Sequence, residues 1–223
     1  MNLFYTSDSH FFHTNMLSFL VECQACPQIP REAGDPCPEC QGAGKVRLRP
    51  FSSSEEMNEI LIQEWNKVVG PEDHVWHLGD VSMLRGKVGE VVTAGLITRL
   101  NGRKRLILGN HDHLPAEAYL RMGFEKVQGS HVHEGLLFTH IPVHPGSLGW
   151  FQANIHGHTH ANPDLPPVLK GERWTPYLNI CVERTLWRPI SLEEVKEKVA
   201  ILASGARWQA AKMAEVEGRG DGS

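Results

Sequence analysis

The chain has 223 residues, 41% of them apolar, and a formal net charge of −4. That length suits one large domain with a small insert, and the apolar share is enough to bury a sizeable core. The near-balanced charge disfavours a protein that coats nucleic acid, and no run approaches the roughly 20 apolar residues of a bilayer-spanning helix.

The start, Met1-Asn2-Leu3-Phe4-Tyr5, has no basic leader region and soon meets Asp8 and His10. It predicts the first strand of a cytoplasmic protein rather than a signal peptide. The strand covers residues 2–7 and runs into a polar loop. Residues 23–49 lose all hydrophobic period and are rich in Cys, Pro and Gly, as an insert would be. Ser53-x-x-Glu56 is a capping box that opens a helix. Met57, Ile60, Leu61, Trp65 and Val68 recur on one face of it, and Gly70-Pro71 ends it.

Residues 74–78 read as a strand before Gly79-Asp80, residues 88–100 as a helix, and residues 105–108 as a strand before Gly109-Asn110-His111-Asp112. A short helix follows over 115–122. Strands over 136–139 and 153–155 run into His140 and into His156-Gly157-His158-Thr159-His160. Residues 177–182 form a further strand, and Ser191-x-x-Glu194 caps a last helix reaching about residue 203. The tail, 205–223, is polar and is expected to be flexible; its Arg219-Gly220-Asp221 reads as a chance match to an adhesion motif. Strand, polar loop and helix in repetition give an α/β layering, with functional groups at the carboxyl ends of strands.

Thirteen histidines exceed what packing needs. Asp8 and His10 stand two apart, a spacing that puts both side chains on one face of a strand. Asp80, Asn110 with His111, His140, and His158 with His160 occupy four further strand ends. A lone Asp-x-His is weak, and a lone buried His is more often a hydrogen-bonded core residue. Five strand ends that each carry an N or O ligand point to metal, because such groups are costly to gather unpaired.

The ordered series Asp8-Ser9-His10, Gly79-Asp80, Gly109-Asn110-His111-Asp112, His140 and Gly157-His158-Thr159-His160 resembles the calcineurin-like metallophosphoesterase superfamily. Thr6-Ser7-Asp8, the Asn101-Gly102-Arg103 turn and Trp187-Arg188-Pro189-Ile190-Ser191 make the chain similar to its small stand-alone branch. The resemblance implies a two-sheet β-sandwich flanked by helices, in four layers, over residues 1–204. It implies that Asp8, His10 and His160 hold one metal, that Asn110, His140 and His158 hold a second, and that Asp80 bridges both. His111 would face the phosphate as the catalytic histidine.

Two ions roughly 3.5–4 Å apart lower the pKa of a shared water, which would attack the phosphorus in line. The ligand set suits manganese, iron, zinc or nickel alike, and the resemblance favours manganese. Phosphodiesters are favoured over phosphomonoesters, although one centre serves both phosphodiesterase and phosphatase chemistry. Many relatives carry Gly-Asp-x-x-Asp-Arg-Gly at the second motif; here Gly79-Asp80-Val81-Ser82-Met83-Leu84-Arg85-Gly86 lacks the second Asp, so Arg85 is given no phosphate role. His13 and His144 are candidates for the substrate rim. His156 is equally placed to support the ligands from behind, and His74, His77, His113, His131 and His133 are left as structural or surface residues.

Cys23-x-x-Cys26 and Cys37-x-x-Cys40 suit a tetrahedral structural zinc in a small insert over 23–45. The second pair continues as Gln41-Gly42-Ala43-Gly44 and resembles half of the zinc repeat of DnaJ-type chaperones, whose glycines let backbone amides point at sulfur. Zinc would supply the insert's folding energy. Its place near His10 suggests that it shapes substrate access. Cys181 reads as a small buried hydrophobe.

Two other readings stand beside hydrolysis of a phosphate ester. A nuclease or nucleic-acid-binding zinc protein would use Arg47, Arg49, Arg103, Lys104 and Arg105 along a groove. A non-catalytic scaffold would keep the fold but lose ligands, and none is lost here. No membrane contact is expected, and protein partners are invisible in the sequence.

Overall fold

Side-chain alternation along short strands decides where the two cores lie. The computed structural model describes residues 1–26, 36–171 and 173–218. In chain order the main elements are β1 (Leu3–Thr6), β2 (Leu20–Glu22), β3 (Lys45–Arg47), α1 (Ser54–Val68), β4 (His74–His77), α2 (Gly86–Ile97) and β5 (Arg103–Ile107). There follow α3 (Ala116–Arg121), β6 (Phe124–Gln128), β7 (Ser130–His133), β8 (Leu136–Thr139), β9 (Ala153–His156), β10 (Val168–Lys170), β11 (Arg173–Thr175), β12 (Tyr177–Asn179), β13 (Ile190–Ser191) and α4 (Leu192–Gly218). The protein is a mixed α/β structure.

One sheet has the order β13-β1-β4-β5-β6, and a second has the order β12-β9-β8-β7. β1, β4, β5 and β6 run parallel, as do β8, β9 and β12, while β13 and β7 are antiparallel edges. Phe4, Val75 and Leu106 face one buried cluster with Met57, Leu61 and Trp65 of α1, Leu96 and Ile97 of α2, and Tyr119 of α3. Their neighbours Tyr5, Trp76 and Ile107 face a second cluster with Phe138, Ile155 and Leu178 of the other sheet and Val195 of α4. Tyr5 stacks on Phe138 with ring centroids 4.0 Å apart. A period of two thus gives each central strand one face for the helices and one for the second sheet.

One capping box forms in full and the other by half. Ser53 Oγ accepts from Glu56 N at 3.1 Å, and Ser191 and Glu194 cap each other reciprocally at 3.2 and 2.8 Å. Glu56 reaches Ser52 N rather than Ser53 N, one residue beyond the expected pair. Strands β6 and β7 were not expected. The solvent-facing Glu125, Lys126, Ser130 and Val132 hide the apolar alternation there.

α4 also exceeds its expected end near residue 203 and continues to Gly218. One glycine at 205 costs only about 1 kcal/mol, and the Ala-, Glu- and Lys-rich sequence after it favours helix. Residues 219–223, with Arg219-Gly220-Asp221, lie outside the described residues, as do 27–35 of the insert. No helix among the described residues is long and apolar enough to cross a membrane.

Candidate metal centre

β1, β4 and β5 in one sheet, and β8 and β9 in the other, all end at one rim. Asp8 and His10 lie beyond the end of β1, so strand alternation does not place them as expected. Both take left-handed backbone conformations, with φ of 59° and 46°. Asp80, His158 and His160 do the same, with φ of 58°, 68° and 48°. Left-handed non-glycine residues cost on the order of 1–3 kcal/mol each and gather at functional sites. The turns also bring backbone very close to the carboxylates. A Cβ on Gly157 would strike Ser7 Oγ and Asp8 Oδ2, and one on Gly109 would strike Asp80 Oδ1.

The side chains converge in two groups that share one atom. In the first, His10 Nε2 lies 3.6 Å from Asp8 Oδ1 and 3.5 Å from Asp80 Oδ2, and His160 Nε2 lies 3.7 Å from Asp8 Oδ1. In the second, His140 Nε2 lies 3.4 Å from the same Asp80 Oδ2, and Asn110 Oδ1 is 2.8 Å from both His140 Nε2 and His158 Nδ1. Donors held about 2.0–2.2 Å from one ion stand roughly 3–3.6 Å from each other, close to these separations.

Four of the candidate ligands are oriented by their far sides. Asp8 Oδ2 accepts from Ser7 Oγ at 2.5 Å, His158 N at 2.9 Å and Cys181 Sγ at 3.2 Å, which leaves Oδ1 for the rim. Asp80 Oδ1 accepts from His111 N at 2.8 Å, which leaves Oδ2 between His10 and His140. His140 Nδ1 bonds Leu78 O at 2.7 Å and His160 Nδ1 bonds Glu183 Oε1 at 3.1 Å. Both contacts fix the tautomer and aim Nε2 inward, the usual arrangement behind a metal-bound histidine. Asp112 accepts from Asp80 N, Val81 N and Gly109 N at 2.8–3.0 Å and so pins the ends of β4 and β5 together.

The fit to metal rests on unpaired atoms. With Nδ1 of His140 donating to Leu78 O, its Nε2 lone pair confronts the oxygens of Asn110 and Asp80. A cation or proton must sit among them. Asp8 Oδ1 and both ring nitrogens of His10 are buried without a hydrogen-bond partner, which costs about 1–3 kcal/mol per group unless something binds there. Burial favours the neutral acid of Asp8, but the His10, His140 and His160 rings outweigh it and hold the carboxyl well below the usual range. Burial likewise opposes ionisation of Asp80, and His140 and the His111 amide reverse that. Both carboxylates are therefore available as anionic ligands.

The His111 ring stands edge-on to His10 with centroids 5.5 Å apart, which places it at the rim. The His13 ring lies 5.5 Å from that of His10, and burial followed by the charges of His10 and His111 pushes it down to about 4. His144 is exposed, and its Nδ1 accepts from Gly146 N at 3.0 Å; among the described contacts none links it to the ligands. His156 is buried against Gly157 O, and His77 holds Ser9 Oγ at 2.7 Å beneath the rim, so both are structural.

Of the five basic candidates Arg47 is exposed and the other four are engaged within the fold. Arg49 is fully buried under Asp8 and Ser9, the Lys104 ammonium bonds Leu100 O and Gly102 O, and Arg103 and Arg105 both reach Glu125.

The four-cysteine cluster does form. Cys23, Cys26, Cys37 and Cys40 bring their sulfurs within 4.8 Å of one another, with Cys23–Cys37 at 3.8 Å and Cys26–Cys40 at 3.4 Å. Sulfurs about 2.3 Å from one zinc stand roughly 3.8 Å apart, so the cluster can hold a structural metal such as zinc. Gly44 N points at Cys40 Sγ at 3.3 Å, as the glycine pattern implied.

Sequence reasoning missed Glu183 and misread Arg49. Cys181 is buried as expected, but its thiol also faces Asp8. Arg49 and Glu183 are 134 residues apart, and no local motif joins them.

No family model matches the chain. An uncharacterized protein of Methanocaldococcus jannaschii is 29% identical over 192 residues, covering 86% of this chain and 87% of that protein. The Gene 66 protein of Mycobacterium phage L5 is 50% identical over 58 residues, 26% of this chain and 28% of its own. Its counterpart in Mycobacterium phage D29 is 28% identical over 178 residues, 65% of this chain and 84% of its own. The crystal structure of a protein of unknown function from Aquifex aeolicus shares the fold, with a TM-score of 0.52 and 22% identity over 88% of this chain and 98% of that one.

Proposed function

We propose that the rim is a two-metal centre that hydrolyses phosphate esters, phosphodiesters in preference to monoesters. We read the two sheets and their helices as the four-layer sandwich of the calcineurin-like metallophosphoesterases. The observation that carries this reading is Asp80 Oδ2, which stands 3.5 Å from His10 Nε2 and 3.4 Å from His140 Nε2 and so belongs to both ligand groups. Asp8, His10 and His160 would hold one ion, and Asn110, His140 and His158 the other, with manganese favoured. Once bound, the ions would supply an activated water and positive charge for the phosphoryl oxygens.

The chain's own groups do the rest. Two carboxylates among seven ligands leave the centre able to attract an anionic ester. His111, anchored by its amide on Asp80 Oδ1, would donate a proton to a phosphate oxygen or to the leaving oxygen. His13 would border the substrate beside His10. Four reduced cysteines suit a reducing compartment, which favours the cytoplasm. A nucleic-acid substrate is disfavoured because Arg49 and Lys104 turn inward.

The test is turnover of bis-p-nitrophenyl phosphate and p-nitrophenyl phosphate by chelated protein with manganese, nickel, zinc or no metal. Turnover restored by metal and lost on the order of 10³-fold in Asp80→Asn is the expected result. Hydrolysis indifferent to metal, or none with both positions filled, counts against the reading.

A further inference from the structure

The cysteine hairpin and the rim share a buried arginine. β2 and β3 pair from Leu20↔Arg47 to Glu22↔Lys45, and Cys23 N continues the ladder to Gly44 O at 2.8 Å. At the other end Leu48 N bonds Phe19 O at 2.8 Å, and the next residue is Arg49. Its side chain is 0% exposed. Nη2 donates to Asp8 O at 2.5 Å and Nη1 to Ser9 O at 2.7 Å, so the guanidinium holds the left-handed Asp8-Ser9-His10 turn from below. Nε and Nη2 both reach Glu183 Oε1 at 2.7 Å, and that oxygen also receives His160 Nδ1 at 3.1 Å.

Every contact of this guanidinium with the rim therefore falls on the first ligand group. It supports the backbone of Asp8 and, through Glu183, the ring of His160. None of its described contacts reaches Asn110, His140 or His158. The guanidinium thus supports only the first half directly; its one described onward link to the second is the His158 amide on Asp8 Oδ2 at 2.9 Å, a backbone rather than a ring contact.

We propose that Arg49 is a positioning residue through which the cysteine hairpin sets the metal affinity of the first position alone. This rests on the two-metal reading of the rim. Removing the metal from the four cysteines would release the hairpin, loosen Arg49, and weaken the Asp8–His10–His160 position while sparing the other. A planar fork that donates in several directions at once cannot be replaced by an ammonium.

The test titrates manganese by calorimetry into full-length protein that retains the metal of its four cysteines, in two backgrounds. His158→Ala leaves the first position as the better site, and His160→Ala leaves the second. Arg49→Lys is expected to weaken binding about 10–100-fold in the first background and not in the second. Glu183→Gln, which keeps the volume and removes the charge, should do the same and decides the matter if Arg49→Lys does not fold. Cys37→Ser should also weaken the first position, and adding Arg49→Lys should then cost little more, because both act through one link.

Equal losses in both backgrounds, or none in either, would overturn the role of Arg49. Unchanged first-position affinity in Cys37→Ser would overturn the role of the hairpin. Hydrolysis is not read in this experiment. A protein that binds two ions and cleaves nothing would sink the phosphoesterase reading and leave the Arg49 result to stand or fall separately.

Discussion

The rim and the cysteine hairpin both gather metal-binding side chains, but they differ in what holds those side chains in place. At the rim the strands of two sheets deliver the ligands, and a set of buried groups aims them: Ser7, Leu78 O, Asp112, Cys181 and Glu183. The two large apolar clusters lie directly behind these strands. At the hairpin, two three-residue strands flank four sulfurs whose apolar neighbours among the described residues amount to a buried Ala25 and a partly buried Val46. The rim rests on two large apolar clusters, whereas among the described residues the hairpin has little else to fold around. The difference teaches that similar ligand counts do not imply similar energetic roles.

Chelation should separate the two regions most sharply. A structural zinc contributes apparent binding energy on the order of 10 kcal/mol to a site that lacks its own core. Hydrogen exchange after removal of all metal should show the Cys23 and Gly44 amides losing protection, while Val75 and Leu106 keep theirs. Equal loss in both places would erase the contrast.

A smaller effect concerns chemistry alone. His111→Ala should lower kcat about 10²–10⁴-fold with two ions still bound at the rim, because its side chain is not among the ligands. Loss of an ion in elemental analysis of that variant would make His111 part of the scaffold instead.

The smallest effect tests whether the inter-sheet core stands apart from both metal sites. His131 stacks on Trp76 with centroids 4.2 Å apart, and burial, followed by the charges of His133, Arg105 and Lys126, pushes it from 6.5 down to about 4. Between those values the unfolded chain binds the proton and the folded one does not. Stability from this group is therefore complete above about 6.5 and declines as the pH falls toward 4. Thermal unfolding at pH 7 and pH 5 should show a slope that His131→Phe flattens and that chelation leaves alone. An unchanged slope in His131→Phe would assign it to other groups.

The legible parts of the sequence were those in which a few consecutive residues do one job. Gly109-Asn110-His111-Asp112 and Gly157-His158-Thr159-His160 place ligand, close backbone approach and support within four positions, so the rim was visible at once. The capping residues Ser53 and Ser191 worked in the same way. What stayed hidden depends on distant partners. Arg49 looks like one more surface cation until Asp8, Ser9 and Glu183 close around it. Glu183 follows a strand with no motif of its own. β6 and β7 expose half their residues and lack the apolar run that marks a buried strand. The candidate ligands Asp8 and His10 were singled out by a strand rule that does not apply to them, since both lie in left-handed conformations beyond the strand.

The most direct test of the central claim is electron paramagnetic resonance of manganese-loaded protein, with elemental analysis alongside. The shared position of Asp80 Oδ2 predicts two manganese ions per chain beyond the metal of the four cysteines, magnetically coupled, with the coupling lost in Asp80→Asn. A single manganese per chain, or two that do not interact, would contradict a centre bridged by Asp80.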